Sequence, residues 1–247
     1  MKDERITVIT VCYNCVSEIE NTIRSVISQS YLNLEYIIID GSSTDGTLDI
    51  IKKYDDKISF WVSEPDKGIY DAMNKGIELA HGEWINFMNV GDRFASPNTL
   101  KNIFSDKRYS KKIKIIYGDV ILDRGNTLKT EQALPITQLS YKMPFCHQSS
   151  FVRIDLMKQL KYDLKYKIAA DYHFFYTAFH VLGKEAFMYV SENISLCETI
   201  TSFSRTNQYP LWIEYLKIRS QHKDVRWFWD TIKNYGKMAC GYKNQIH

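Results

Sequence analysis

The chain has 247 residues, of which 45% are hydrophobic and 25% are charged, and its formal net charge is +3. A chain of this size and composition buries a sizeable core as one large domain, or as one domain with a small appendage, which excludes a largely disordered protein. The N-terminus shows no signal-peptide pattern and no window has the apolar length of a membrane span, so we expect a cytoplasmic protein.

Strand and helix patterns alternate in the first third of the chain. Thr7 to Cys12 and Leu34 to Ile39 are short β-branched runs, and the apolar residues between them repeat at helical spacing, which predicts a βαβ unit. Further strand patterns occur at Ile58 to Val62 and Trp84 to Met88, with a helical pattern from about Ile69 to Ala80 between them. This alternation predicts an α/β fold with a mostly parallel sheet covered by helices on both faces.

Beyond residue 112 the pattern changes to isolated strands around one helix. We expect strands at Ile113 to Tyr117, Ser149 to Val152 and Phe187 to Val190, and a helix at Asp171 to Leu182. The second half is therefore predicted to be α+β. Two further helices are expected from Gln208 onward.

The five cysteines form an odd, scattered set, unlike the even sets of secreted disulfide domains, so we expect reduced thiols. Cys12 and Cys15 make a Cys-x-x-Cys pair. Because no second pair follows at zinc-ribbon spacing, the pattern favours two small residues at a strand end over a metal or redox site.

The second strand ends in a polar turn, Asp40-Gly41-Ser42-Ser43-Thr44-Asp45-Gly46-Thr47. Ligands bind at the carboxyl edge of open α/β sheets, so this turn is a candidate binding loop. Asp40 could accept a hydrogen bond from a nucleobase N–H, whereas Ser42, Ser43 and Thr44 could equally cap the next helix. The pattern alone leaves both interpretations open.

Two more polar segments follow. In the segment Glu64 to Gly76, Asp71 and Asn74 fall opposite the apolar face of the predicted helix, where a solvated surface is the usual explanation. In Asn89-Val90-Gly91-Asp92, the Asp follows an apolar strand and could hold a hard divalent cation together with phosphate oxygens and water. The alternative for Asp92 is an ordinary turn residue.

In this order and spacing the segments resemble the inverting glycosyltransferases of family 2 with the GT-A fold, especially members of bacterial polysaccharide assembly of the colanic-acid type. The resemblance covers about residues 5–200 and includes Ile6 to Asn14. It implies a GT-A type, Rossmann-like sheet. It also implies a glycosyltransferase domain at 1–203, with a nucleotide-sugar half at 1–92 and an acceptor half at 93–203, followed by a helical extension at 204–247.

The resemblance implies a pocket for a nucleotide-sugar donor, lined by Thr10, Asn14, Asp40, Asp66, Asp71 and Asn74. It implies a divalent metal, Mn²⁺ or Mg²⁺, at Asp92. Val90 stands where the family has its first metal-binding Asp, so Asp92 would hold the metal largely alone on the protein side.

On the acceptor side, the resemblance implies that His147 bonds the diphosphate or the acceptor; a lone histidine can equally be structural. Asp171 aligns with the catalytic base of the family, although Ala170 replaces its acidic partner. Because Asp171 stands at a helix start, a capping role is the alternative.

The function implied is transfer of a sugar from a nucleotide-sugar to an acceptor hydroxyl with inversion, in one metal-assisted displacement. The expected acceptor is a lipid-linked glycan or a polysaccharide precursor. One rival is a nucleotidyltransferase, although a Gly-rich phosphate loop is missing. The other is a non-catalytic nucleotide-sugar-binding or scaffolding protein, suggested by Val90 and Ala170.

The C-terminal segment concentrates the basic charge. From Arg205 to His247 there are eight Lys or Arg against three Asp or Glu, interleaved with Trp212, Trp227, Phe228 and Trp229. Nucleic acid is not expected as a partner, because nothing upstream resembles a recognition module. Two interpretations have equal weight: a peripheral contact with the anionic inner face of the cell membrane, or packing on the catalytic domain or in a homodimer.

Overall fold

The computed structural model describes residues 3–105, 109–198 and 208–222. In chain order the strands are β1 Ile6–Cys12, β2 Leu34–Asp40, β3 Phe60–Ser63, β4 Trp84–Phe87, β5 Arg93–Phe94, β6 Ile115–Asp123, β7 Leu128–Glu131, β8 Ser150–Arg153 and β9 Phe187–Glu198. The helices are α1 Ile19–Ile27, α2 Thr47–Lys53, α3 Ile69–Leu79, α4 Thr99–Phe104, α5 Ile154–Leu160, α6 Ala170–Leu182 and α7 Gln208–Arg219. Short 3₁₀ turns lie at Asp55–Lys57, Ile136–Ser140, His147–Ser149, Lys184–Ala186 and Ser220–His222.

Within the described residues the strands form one sheet, in the order β3-β2-β1-β4-β8-β6-β9-β5, with β7 paired to β6. The strands β3, β2, β1 and β4 are all parallel. β8 runs antiparallel to both β4 and β6, while β6 and β9 are parallel to each other. Most paired residues thus lie in parallel ladders, and the predicted α/β architecture is confirmed.

The central strand β1 shows why the N-terminal half folds in this way. All seven of its residues are buried, because helices cover both faces of the sheet. Ile9 and Val11 share one core with Met73 and other apolar residues of α3. Val8 shares the opposite core with Ile23 and the rest of the apolar face of α1. Successive side chains of β1 point to opposite faces of the sheet and therefore contribute to two separate cores.

The strands β6 and β9 extend further than the sequence predicted. Their pairing continues to Asp123 and Glu198, and the register shifts on either side of Asp119. Gly118 lies at this irregularity, where a Cβ atom would come within 2.8 Å of the carbonyl oxygen of Glu192. Residues 189–193 of β9 alternate between exposed and partly buried and include three polar residues in a row, so the search for apolar runs ended the predicted strand at Val190.

The helix α7 packs on the main domain. The Tyr215 ring stacks on Tyr172 of α6 with centroids 4.0 Å apart, and Ile218 is fully buried. For this helix the structure shows packing on the domain, which was one of the two interpretations of the C-terminal segment. Trp227, Phe228 and Trp229 lie outside the described residues. Among the described helices, none combines the length and the apolar character needed to cross a bilayer.

Candidate functional site

A cavity of about 630 Å³ opens beside the carboxyl end of β4. Its wall includes the residues that follow β4, parts of β6 and the end of β9, the first turns of α3 and α6, and two residues of α7. Three of the predicted site residues line it together: Asp92, His147 and Asp171. The structure thus brings the predicted metal ligand, the predicted base and the acceptor-side histidine to one cavity, although they are far apart in the chain.

Asp171 lies in the first turn of α6 and is partly exposed at the cavity wall. Its Oδ1 atom accepts hydrogen bonds from the main-chain N–H of Tyr172 at 2.8 Å and from the Tyr70 hydroxyl at 3.1 Å. The N-cap residue of α6, Ala169, makes no side-chain cap. A carboxylate in this position can satisfy the helix end and still present an oxygen to the cavity.

The charge of this carboxylate acts on three tyrosines, of which Tyr70 bonds it directly. Burial and then the charge of Asp171 raise the pKa of Tyr70, Tyr162 and Tyr215 well above the usual tyrosine value. These hydroxyls therefore stay protonated at neutral pH. Tyr70, which sequence reasoning missed, also lies 2.7 Å from the carbonyl oxygen of Ile168.

His147 is nearly enclosed by aromatic rings. It is only 9% exposed, its ring lies 5.5 Å from that of Phe87, and its Nε2 atom is 2.8 Å from the Tyr162 hydroxyl. Burial lowers the pKa of His147, and the charge of Asp171 opposes this only in part. A neutral imidazole that is held by its neighbours and also lies at the cavity wall is compatible with a structural role and with a substrate contact. Its contact with the diphosphate or the acceptor therefore stays a prediction.

Asp92 is 9% exposed, and its Oδ2 atom accepts a 2.6 Å hydrogen bond from the side chain of Gln148. Burial raises the pKa of Asp92 to about 7, while hydrogen bonds from Cys197, the Glu198 main chain and Gln148 oppose that rise. Gln148 follows His147 in the chain, and this adjacency was the sequence signal that could have identified it.

The donor set for a metal consists of oxygen atoms rather than a cluster of charged ligands. In residues 3–105, 109–198 and 208–222 no group of three or more His, Cys, Asp or Glu is placed to hold a metal ion. Asn89 lines the cavity, however, and its buried Oδ1 atom has no hydrogen-bond donor among the described residues. An unpaired buried acceptor is costly, and hard divalent cations bind oxygen and complete their shells with water or phosphate. Asp92 and Asn89 thus fit a cation shared with a bound diphosphate.

The predicted nucleotide residues lie outside the cavity lining, and Asp40 is one of the two that are fully buried. Its carboxylate is fully buried and accepts hydrogen bonds from the Ser43 N–H at 2.9 Å and the Ser63 hydroxyl at 2.6 Å. The Ser43 hydroxyl and the Cys12 thiol also donate to it. The carboxylate therefore holds the polar turn against β3, and a base N–H would have to replace one of these donors.

Asn14 lies opposite that turn and is exposed, with a left-handed φ of 46°. Its side-chain oxygen accepts a hydrogen bond from the Thr44 N–H at 2.9 Å. Thr10, in contrast, is fully buried within the sheet and donates its hydroxyl to the carbonyl oxygen of Met88 at 2.8 Å. The structure places Asn14 at the loop surface and Thr10 beneath it.

Asp66 and Asp71 both bond main-chain N–H groups at the start of α3, whose N-cap residue is a glycine. Asp66 accepts from Gly68 at 2.8 Å, and Asp71 accepts from Lys67 at 3.0 Å. Asp66 also lies beside Gly41 of the polar turn, where a Cβ atom would come within 2.5 Å of its Oδ2 atom. A side chain at Gly41 would therefore have to displace the Asp66 carboxylate.

Asn74 points toward another part of the chain. Its Nδ2 atom donates to the Tyr162 carbonyl oxygen at 2.9 Å, and its Oδ1 atom accepts from the Tyr162 N–H at 2.9 Å. This pair of bonds joins α3 to the segment after α5. A direct contact between Asn74 and a donor stays a prediction.

Two thiols of the cavity wall were also missed from the sequence. The Sγ atoms of Cys146 and Cys197 are 3.3 Å apart, and both residues line the cavity. Both are free thiols in this structure, as are Cys12 and Cys15, and the redox state of the cysteines stays a prediction. Cys240 lies outside the described residues. The hydrogen bond with Cys146, and then burial, raise the pKa of Cys197 well above the usual thiol value.

Comparison with known proteins identifies similar sequences. A protein-family model described as Glycosyl transferase family 2 matches residues 7–178. The PGL/p-HBAD biosynthesis glycosyltransferase of Mycobacterium bovis (strain BCG / Pasteur 1173P2) is 30% identical over 172 residues, which cover 68% of this chain and 67% of that protein. The match therefore spans about two thirds of that relative's length.

Solved structures show the same fold. S. aureus TarS 1–349 in complex with UDP-GlcNAc superposes with a TM-score of 0.66 at 18% identity, over 87% of this chain and 65% of that chain. Glucosyl-3-phosphoglycerate synthase from Mycobacterium tuberculosis, in complex with Mn²⁺, uridine-diphosphate and phosphoglyceric acid, gives 0.63 at 14% identity, over 87% and 78%. This chain thus spans slightly less than two thirds of the TarS chain. The likeness confirms the expected GT-A type α/β sheet.

Proposed function

This chain belongs to glycosyl transferase family 2, and we propose that it moves a sugar from a nucleotide-sugar donor to an acceptor hydroxyl with inversion at the anomeric carbon. The observation that carries the proposal is the meeting of Asp171 and Asp92 at one cavity. One carboxylate is available to remove a proton from the acceptor. The other, with Asn89, offers oxygen ligands where a diphosphate would bind.

Asp171 acts as the general base. An alcohol is a weak nucleophile at neutral pH, so a carboxylate within hydrogen-bond reach must take its proton as the new bond forms. The acceptor oxygen attacks the anomeric carbon from the side opposite the diphosphate, and the carbon–oxygen bond to the diphosphate breaks with its electron pair. Because attack and departure are on opposite faces, the configuration inverts. The Tyr172 N–H holds Oδ1 of Asp171, with the Tyr70 hydroxyl sharing its one proton between Oδ1 and the Ile168 carbonyl oxygen, and this leaves the other carboxylate oxygen for the acceptor.

Asp92 and Asn89 would hold the divalent cation, Mn²⁺ or Mg²⁺. When bound, such a cation neutralises the charge that grows on the departing diphosphate. The chain itself keeps Asp92 in place through the 2.6 Å hydrogen bond from Gln148. Gln148 in turn is fixed by the 3₁₀ turn His147–Ser149 that leads into β8.

The donor nucleotide is proposed to lie across the polar turn after β2. Tyr13 is 63% exposed beside Gly41 and offers a ring face for a base, while Asn14 and Asp66 border the same turn. Asp40 and Asp71 support this surface through the main-chain contacts described above. Thr10 is buried beneath it, whereas the bonds of Asn74 go to Tyr162. The TarS complex contains UDP-GlcNAc, which supports a uridine donor as the first choice for testing.

The acceptor is proposed to be a lipid-linked saccharide or a polysaccharide precursor, reached at the inner face of the cell membrane. The name of the mycobacterial relative, which refers to PGL/p-HBAD biosynthesis, supports an assembly role. That name does not refer to colanic acid, so the narrower subgroup stays a prediction. A homodimer likewise stays a prediction.

The test is a panel of sugar nucleotides: UDP-glucose, UDP-galactose, UDP-GlcNAc, GDP-mannose and dTDP-rhamnose. We expect the purified protein to release nucleoside diphosphate from at least one of them in the presence of Mn²⁺ or Mg²⁺. A protein that binds a nucleoside diphosphate but never releases one from any sugar nucleotide would instead be the non-catalytic binding protein. That alternative is favoured by the lack, among the described residues, of a group of three or more side chains placed to hold a metal, and by the buried Ala170 beside Asp171.

A further inference from the structure

The side chain of Glu214, on α7, binds three consecutive main-chain N–H groups. Its Oε1 atom accepts from Lys167 at 2.8 Å, and its Oε2 atom accepts from Ile168 at 3.0 Å and Ala169 at 2.8 Å. Hydrogen bonds to an ionised acceptor are stronger than those between neutral groups. The segment 167–169 is therefore fastened to α7 at three successive peptide groups.

This segment leads directly into the first turn of α6, which carries Asp171. Helix starts leave several N–H groups without partners, and Ala169, the N-cap residue, has no side chain that could satisfy them. Glu214 accepts from the N–H of Ala169 itself and from the two residues before it, while Asp171 accepts from the Tyr172 N–H inside the first turn. The negative charge of Glu214 also suits the positive end of the α6 dipole.

The contact continues to the carboxylate itself. The N–H of Ile168 donates to Glu214, and the carbonyl oxygen of the same residue lies 2.7 Å from the Tyr70 hydroxyl. That hydroxyl is 3.1 Å from Oδ1 of Asp171. Next to Glu214, Tyr215 stacks on Tyr172, the residue after Asp171. Two neighbouring residues of α7 thus fix the chain on both sides of the catalytic carboxylate.

We propose that Glu214 is a positioning residue for the general base: it sets the conformation of residues 167–169 and, through them, the direction in which Asp171 faces the acceptor. The inference rests on the proposed function, in which Asp171 is the base. The family match ends at residue 178, so α7 lies beyond the matched part of the chain. The helix also contributes Leu211 and Tyr215 to the cavity wall.

The test compares Glu214→Gln with the unaltered protein, using the sugar nucleotide of the panel that is hydrolysed fastest and water as acceptor. Gln keeps the size of the side chain but places an NH₂ donor against N–H donors. We expect kcat to fall about tenfold or more while KM for the sugar nucleotide stays within about twofold, because the donor contacts are untouched. Amide hydrogen exchange of residues 167–172 should become faster.

Lys217→Gln is the matched control, since Lys217 is exposed on the same helix and its replacement should leave kcat and exchange unchanged. Glu214→Asp keeps the charge on a shorter arm and should give an intermediate kcat; it also decides the matter if the Gln variant does not fold. Faster exchange with unchanged kcat would overturn the positioning role and leave the proposed function intact. If the unaltered protein hydrolyses no sugar nucleotide, the proposed function fails first, and the inference falls with it.

Discussion

The hydroxyl of Tyr70 lies 3.1 Å from Oδ1 of Asp171, although the two residues are on different helices. The main-chain N–H of Tyr172 bonds the same oxygen. Within the described part of the chain both hydrogen bonds thus fall on Oδ1, and Oδ2 is the atom that we assign to the acceptor proton. A carboxylate held on one oxygen cannot rotate freely, so its second oxygen keeps one direction.

Replacing Asp171 by Asn should lower turnover about 10²–10⁴-fold, because the amide keeps the size of the side chain but cannot accept the proton. Nucleoside diphosphate binding should be unchanged in calorimetry. Asp155→Asn is a closely matched control: Asp155 also lies in a first helical turn and bonds the next N–H, at 2.7 Å, but does not line the cavity. Near-normal turnover of Asp171→Asn would favour the capping interpretation.

Replacing Asp40 by Ala should weaken nucleoside diphosphate binding about tenfold or more. The loss leaves the buried N–H of Ser43 without its acceptor, which costs about 1–3 kcal/mol and releases the turn that borders the nucleotide. Ser63→Ala removes one hydroxyl bond but keeps the carboxylate, and should bind nearly as well as the unaltered protein. Calorimetry with UDP and GDP makes the comparison. Unchanged affinity in a folded Asp40→Ala variant would remove Asp40 from the site.

Turnover should vanish in excess chelator and return with Mn²⁺ or Mg²⁺. Asp92→Asn and Asn89→Ala should each raise the metal concentration needed for half-maximal activity by about 10-fold or more, the scale on which loss of even an outer partner weakens metal sites. Titrating activity against free metal measures this. Full turnover in excess chelator would mean that side chains alone stabilise the leaving group.

Replacing Asn74 by Ala should lower the free energy of unfolding by about 1–3 kcal/mol, since it leaves the N–H and the carbonyl of Tyr162 unpaired. Denaturant unfolding measures the loss. Glu78→Ala on the same helix is the control, because its ion pair with Lys161 is exposed to solvent and its loss should leave the free energy of unfolding nearly unchanged. A large loss of donor affinity with unchanged stability would instead support the pocket role predicted from the sequence.

Binding to anionic vesicles should depend on residues 223–247, since α7 is already packed on the domain. The full chain should float with anionic but not neutral liposomes, more weakly at high salt, with each basic residue near the surface contributing about 1 kcal/mol. A chain ending at residue 222 keeps Glu214 and should lose flotation while keeping sugar-nucleotide hydrolysis. No binding of the full chain at low salt would leave packing or oligomerisation as the role of this segment.

The sequence predicted those features that depend on neighbours in the chain. The β1–α1–β2 unit and α3 follow from apolar periodicity, because burial of one face imposes a fixed repeat. Asp92 and Asp171 could be identified by resemblance. Their meeting at one cavity depends on the antiparallel pairing of β4 with β8, and apolar periodicity does not predict which strands pair. Glu214 could not be predicted at all, because an acceptor for main-chain N–H groups leaves no mark on the sequence of the segment that it binds.

The strand β1 pairs with one strand that follows soon after it in the chain and with another that follows much later, and this matters during synthesis of the protein. Ile6 pairs with Leu34 on one side and with Trp84 on the other. A nascent chain can therefore pair β1 with β2 while β4 is still being synthesised. Until β4 is made, the other edge of β1 has no partner strand. Unpaired edges of this kind recruit other chains. We therefore expect the newly made N-terminal segment to depend on chaperones until residue 87 has emerged, and to aggregate when it is expressed without β4.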